Sequence, residues 1–130
     1  MHVLVIPSWY PADDKDLNGC FFREQAQAFV SDEVKVGVLA INAATPRKLS
    51  SFKFNPRGNL AMEKGVTTFR VKGIHLYFSR LCQIYHIHIG MKAFNLYMKE
   101  NGVPDIVHVQ SVLYGGCIAL ALKNKYSIPY

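Results

Sequence analysis

The order of apolar and polar positions divides the chain into alternating strand and helix segments. Val3-Leu4-Val5-Ile6 is an unbroken, mostly β-branched apolar run, the pattern of a parallel strand covered on both faces. Pro7-Ser8-Trp9-Tyr10-Pro11 ends it, because two prolines bar further ladder or helix. The polar run Asp13-Asp14-Lys15-Asp16 reads as exposed loop. Asn18-Gly19 then leads into a helix whose Phe22, Ala26, Phe29 and Val30 fall at i, i+4, i+7 and i+8. Ser31-Asp32 closes that helix. Glu33 to Ile41 alternates at first and then becomes continuously apolar, as a second strand. Strand, helix and strand in this order make a βαβ unit, whose crossover is expected to be right-handed.

Asn42 to Gly65 holds Pro46, Pro56 and several small polar residues. A structureless loop of that length is uncommon inside a compact domain, so a hairpin is expected. Leu49–Phe54 and Leu60–Glu63 would flank a turn at Asn55-Pro56-Arg57-Gly58-Asn59. Val66 to Val71 alternates as a third strand, broken at Gly73, with Ile74–Phe78 as a bent continuation. Arg80 to Asn101 predicts a long helix with Ile84, Ile87, Met91, Phe94 and Met98 on one face. Lys92, Asn95 and Lys99 share another face. Its first half, Ile84 to Ile89, is apolar enough to read as strand instead. Asn101-Gly102 and Pro104 give the stop signal. Asp105 to Val109 is the fourth strand. Ser111 is a candidate N-cap for a helix with Leu113, Cys117, Leu120 and Ala121 on one face. Lys123 and Lys125 in its last turn complement the helix dipole. Ser127 to Tyr130 begins what reads as a further strand, so the chain is expected to be a fragment of a longer domain.

At 130 residues the chain is one domain by size and long enough for a core. No apolar run approaches the roughly 18 residues of a membrane span. Met1-His2 leads straight into a strand, which predicts no signal peptide. The expected location is cytoplasmic, including the inner face of the plasma membrane. Cys20, Cys82 and Cys117 are far apart and form no C-x-x-C, so they read as free thiols. The formal charge of +6 suits nucleic acid, phosphorylated substrates, an anionic membrane surface or plain solvated surface. Arg47, Lys48, Lys53, Arg57 and Lys64 are concentrated against the single acid Glu63. With Phe52 and Phe54 interleaved, the segment Arg47–Lys64 reads either as a solvated insertion or as a contact with a membrane or lipid-linked acceptor.

Several chemistries lack their sequence signals. The dinucleotide and P-loop glycine patterns and the G-x-S-x-G elbow are missing. His86 and His88 diverge on a helix and have no third ligand nearby, so no metal site is expected. No strand end offers the aspartate of a receiver-type switch, and the first turn lacks the Ser/Thr-rich loop of a flavin module. What remains is the mouth of the sheet, where open α/β folds bind ligands beyond the carboxyl ends of their strands. Asn18 and Gly19 read as a phosphate site at a helix N-terminus or simply as a turn. Trp9 and Tyr10 stack on a sugar at that mouth or pack internally. Gln110 and Ser111 lie just past the fourth strand and are better placed for substrate than His108 within it.

P-S-W-Y-P followed by N-G-C-F-F-R-E-Q-A-Q-A-F resembles the N-terminus of family 4 glycosyltransferases of the GT-B fold, particularly those that build bacterial surface polysaccharides. D-I-V-H-V-Q-S at 105–111, with Gly115-Gly116, resembles the family's later strand-helix unit. The match is poor from about Asn42 to Phe78. The resemblance implies an α/β, Rossmann-like, doubly wound, mainly parallel sheet: the N-terminal, acceptor-side half of a GT-B enzyme, truncated over residues 1–130. It implies retaining transfer of a sugar from a UDP- or GDP-linked donor to a hydroxyl of a glycan or lipid-linked acceptor, without metal or other cofactor. The nucleotide and the family's paired glutamates would belong to a C-terminal domain, and a family histidine would fall a few residues past Tyr130. The catalytic residues are therefore expected outside these positions. Gly19 matches the family's loop glycine, which contacts the donor diphosphate; Asn18 stands where the family often has a second glycine. Two rivals share the pattern. One is a GT-B epimerase or phosphorylase, and the other is a non-enzymatic phosphate- or nucleotide-binding flavodoxin-like module. No nucleic acid partner is expected. A truncated sheet leaves an edge and a face open to self-association.

Overall fold

A computed structural model describes residues 1–13, 15–44, 58–74 and 79–130. In chain order the elements are β1 (His2–Ile6), α1 (Cys20–Ala28), β2 (Lys35–Ala44), β3 (Asn59–Glu63), β4 (Val66–Ile74), α2 (Ser79–Asn101), β5 (Ile106–Val109) and α3 (Cys117–Tyr126). Among the described residues the strands form one sheet in the order β3-β4-β2-β1-β5. β1 pairs in parallel with β2 and β5, and β2 in parallel with β4. β3 is antiparallel to β4. The protein is thus α/β with a mostly parallel sheet, and its strand order is compatible with a Rossmann-like fold.

Every residue of β1 is buried, as its continuous apolar run requires. Alternate side chains enter separate cores. Val3 and Val5 pack with Val36, Val38 and Ala40 of β2 and with Ala26 of α1. Leu4 and Ile6 pack on the other side with Leu39, Phe94 and Tyr97 of α2, and Ile118 of α3. Each fully buried Leu or Val in these layers contributes about 1.5–3 kcal/mol over an exposed one.

The structure departs from the pattern-based reading at four places. A hairpin turn that the pattern did not mark falls at Lys64-Gly65, between β3 and β4; most of the expected turn at Asn55–Asn59 lies outside the described residues. Both turn residues have positive φ, 48° and 85°, as a two-residue hairpin turn of the primed type demands. The proposed first arm, Leu49–Phe54, lies outside the described residues, as does most of Ile74–Phe78. Gly73 does not break the third strand: it pairs with Ala43 and lets Ile89 of α2 approach. In α2 the buried stripe is Cys82, His86, Gly90, Ala93 and Tyr97, with Phe94, whereas Ile84 is exposed. Small and polar-tipped residues fill the centre of that inner face; of the apolar stripe read from the sequence, Phe94 is in the core and Met91 and Met98 pack against it. In α3 Ile118, Ala119 and Leu122 are buried while Leu113 and Leu120 are exposed. The helix starts at Cys117, after a kinked segment over Val112–Gly116 in which Leu113 and Tyr114 have non-helical torsions, so the phase read from Leu113 does not apply.

A buried pair of polar side chains crosses the layer between sheet and α2. His2 Nε2 is 2.7 Å from the Tyr97 hydroxyl, both residues being buried. A Cβ on Gly37 would overlap that hydroxyl, so only glycine leaves room for it in β2. Burial, then the nearby Lys35 charge, lowers the His2 pKa from its ordinary 6.5, while burial pushes the Tyr97 phenol up. Both groups are therefore neutral at physiological pH.

Gly37→Ala is expected to lower the unfolding free energy by about 1–3 kcal/mol in urea titrations, the usual effect of overpacking. His2 also sets a sign for acid sensitivity. Its folded pKa lies below its unfolded one, so the unfolded chain binds the extra proton first and stability falls as pH drops below 6.5. Urea midpoints at pH 7.5 and about 5.5 should therefore differ more for the wild type than for His2→Asn.

Candidate functional site

A cavity of about 620 Å³ opens at the carboxyl ends of β1 and β2 and beside the segment that follows β5. Ile6, Ile41, Ala43 and Ile118 give it an apolar floor. Ser8, Asn18, Asn42 and Ser111 place polar groups around it, from three separate segments. His86 and Tyr114 form an aromatic wall, with ring centroids 4.3 Å apart and planes at 25°. Trp9 stands at the lip, 68% exposed, with its indole stacked on Phe22 at 6.5 Å.

Three devices hold the loop from Pro7 to Gly19 that carries this lip. The first is the Asp16 carboxylate. It accepts from the Ala12 amide at 2.9 Å, the Asn18 amide at 3.0 Å and the Asn18 side-chain nitrogen at 2.8 Å. These hydrogen bonds, the Ala12 one foremost, hold its pKa below the usual carboxylate range. The second is Arg70 of β4. Its Nη1 donates to the Pro11 carbonyl at 2.7 Å and its Nη2 to both Glu63 oxygens at 2.7 and 2.8 Å. Its guanidinium also lies 5.0 Å from the centre of the Tyr10 ring. The third is Gly19, with φ 75° and ψ 19°, at the start of α1. A Cβ there would stand 2.7 Å from the Trp9 carbonyl oxygen. The glycine thus lets the first turn of α1 lie against the loop backbone, a structural role that holds with or without a ligand.

The residues singled out from the sequence separate into groups. Trp9, Tyr10, Asn18 and Ser111 line the one cavity. Tyr10 is buried, with its hydroxyl beside that of Thr68, and the pair makes no hydrogen bond to a third group among the described residues. Gly19 lies outside the lining. Gln110 does too: its Nε2 donates to Gln25 of α1 at 2.6 Å, and it borders a shallower apolar hollow of about 510 Å³ with Val109, Cys117 and Leu120. Ser111 is not a helix cap of the ordinary kind, because its hydroxyl donates to the Leu113 carbonyl at 2.8 Å. His108 faces away from the cavity, edge-on to Phe29 at 5.7 Å. His86 is buried and His88 exposed on α2, and no group of three metal-ligating side chains exists among the described residues. No helix among them is long and apolar enough to cross a membrane.

Asn42, His86, Tyr114 and Arg70 were not found from sequence. Tyr114 has φ 57° and ψ −63°, the rarer and strained hand of γ-turn, directly before Gly115-Gly116. Its hydrogen bond with Cys82 pushes its phenol above the ordinary value. No protein-family model, curated protein or solved structure matches the chain.

Arg70→Lys should show what the staple contributes. A lysine cannot reach Pro11 and Glu63 with one fixed fork, so about 1–2 kcal/mol of stability should be lost. Trypsin should also cut faster after the exposed Lys15, as followed by mass spectrometry.

Proposed function

We propose that the chain is the N-terminal, acceptor-side domain of a retaining glycosyltransferase of the GT-B type, using a nucleotide-sugar donor. The observation that carries the reading is the cavity's position. It lies beyond the carboxyl ends of the parallel strands, where β2 leaves to one side of β1 and β5 to the other. The P-S-W-Y-P and N-G-C-F-F-R-E-Q-A motifs, on which the resemblance rests, form its lip and the helix behind that lip. In this reading the fold is doubly wound. The donor diphosphate approaches Asn18 and the open end of α1, and the acceptor enters the cavity. The groups that break the glycosidic bond belong to a second domain. The acceptor is built into a surface polysaccharide at the cytoplasmic side of the membrane.

The test is a thermal-shift screen of UDP- and GDP-sugars on the full-length gene product, repeated with Asn18→Asp. Aspartate repels a diphosphate, but it also loses the Nδ2 hydrogen bond to Asp16, so each shift is measured against the unliganded variant. Gly19→Val is a poorer probe, because its Cβ meets the Trp9 carbonyl and the fold itself suffers. The expected result is a raised melting temperature with one donor, reduced in the variant. Stabilisation by inorganic phosphate alone, equal to that by any nucleotide-sugar, would favour a phosphate-binding module and end the transferase reading.

A further inference from the structure

Most polar groups of the cavity are hydroxyls and carboxamides. Among the described residues its lining contains no lysine or arginine, and its one carboxylate is Asp16. That carboxylate is held ionised by its hydrogen bonds to Ala12 and Asn18. The nearby guanidinium of Arg70 lies outside the lining and is committed to Glu63, Pro11 and the Tyr10 ring. A phosphate in this space would lose its hydration shell and face the negative charge of Asp16, with no lysine or arginine among the described lining residues to replace the water. The described lining is therefore a poor match for an anion.

What it offers is hydrogen bonding from several directions. The Asn42 carboxamide and the Ser8 hydroxyl make no hydrogen bond to other described residues and border the cavity. The Asn18 side chain gives its nitrogen to Asp16, which leaves its oxygen free to accept. The Ser111 hydroxyl donates to Leu113 and keeps its lone pairs for a ligand. The Trp9 indole is covered on one face by Phe22 and remains largely exposed. A nucleobase presents its polar atoms along one planar edge. These groups come instead from the ends of β1 and β2, from the loop before α1 and from the segment after β5. They encircle a volume with an aromatic platform at one side.

We infer that the cavity receives an uncharged sugar ring, with Trp9 as its stacking platform and Asn42 and Ser8 as partners of its hydroxyls. The inference rests on the transferase reading only in naming that ring as the acceptor. The acceptor's reacting end is then a neutral glycan residue, and any phosphate or lipid it carries stays outside the cavity.

Trp9 is the only tryptophan, so its emission reports the site directly. The full chain would be titrated with the methyl glycosides of glucose, galactose, mannose and N-acetylglucosamine, and with inorganic pyrophosphate and uridine. At least one glycoside should shift the emission saturably, with a Kd on the order of 1–10 mM. That Kd should be unchanged between about 0.02 and 0.5 M salt, because no ion pair is formed. Asn42→Ala should weaken it about tenfold, the value of one good hydrogen bond set. Ser8→Ala serves if that variant misfolds. No response to any glycoside would overturn the inference. So would a saturable, salt-sensitive response to pyrophosphate that Asn42→Ala weakens, or tighter binding of uridine than of every glycoside. Nucleotide-sugar stabilisation without a glycoside response removes only this inference. A glycoside response without nucleotide-sugar stabilisation removes only the transferase reading.

Discussion

β1 has no solvent side. It is hydrogen-bonded to β2 on one edge and β5 on the other, and each of its residues is buried. That single constraint dictates the layers. Val3 and Val5 demand cover from α1, and Leu4 and Ile6 demand it from α2 and α3. With both edges and both faces taken, the chain can leave β1 only at its carboxyl end. The loop that follows must therefore start at the middle of the molecule, and the last buried residue, Ile6, becomes part of the cavity floor. The site is a consequence of the core.

The loop's apolar anchors, Pro7, Tyr10 and Pro11, are buried near its start, whereas Ala12, Asp13 and Leu17 are exposed. Its shape comes from three unlike forces: an ion pair shared with a carbonyl at Arg70, a carboxylate gathering amides at Asp16, and a steric permission at Gly19. Each acts on a different point, Pro11, the Ala12–Asn18 closure and Trp9. Together they present a large aromatic ring to solvent at the mouth of a cavity, an arrangement that hydrophobic packing alone would not maintain. This preorganisation is what makes the lip suitable for recognition.

Much of the fold was legible because strands buried on both sides write continuous apolar runs. Val3–Ile6 and the later part of β2 are of this kind, and the α2 boundaries followed from Asn101-Gly102-Pro104. The inner face of α1 was legible in Phe22 and Ala26, both buried, but those of α2 and α3 were legible only in part. The inner stripe of α2 uses Gly90, Ala93 and His86 because α3 comes close there: a Cβ on Gly90 would meet Ile118 at 2.6 Å. Close packing selects small residues, and these carry no hydrophobic signal. The β3–β4 turn hid in Lys64-Gly65 because lysine is not a residue associated with positive φ. Of the site, the near lip was visible through its prolines, tryptophan and glycine. Asn42, at the end of a strand, and Tyr114, across the sheet, carry no local mark. Only the topology brings them together.

Tyr114 lies in a torsion that costs a residue with a side chain on the order of 1–3 kcal/mol, and that glycine would adopt with less strain. Two glycines follow it immediately, yet neither has positive φ. The chain holds its flexible residues one step away from the place that would relax the backbone. The ring of Tyr114, stacked on His86, is therefore retained against the preference of its own main chain. A screen for thermostability alone would tend to trade this tyrosine for glycine, and the protein so improved would have lost one wall of its cavity.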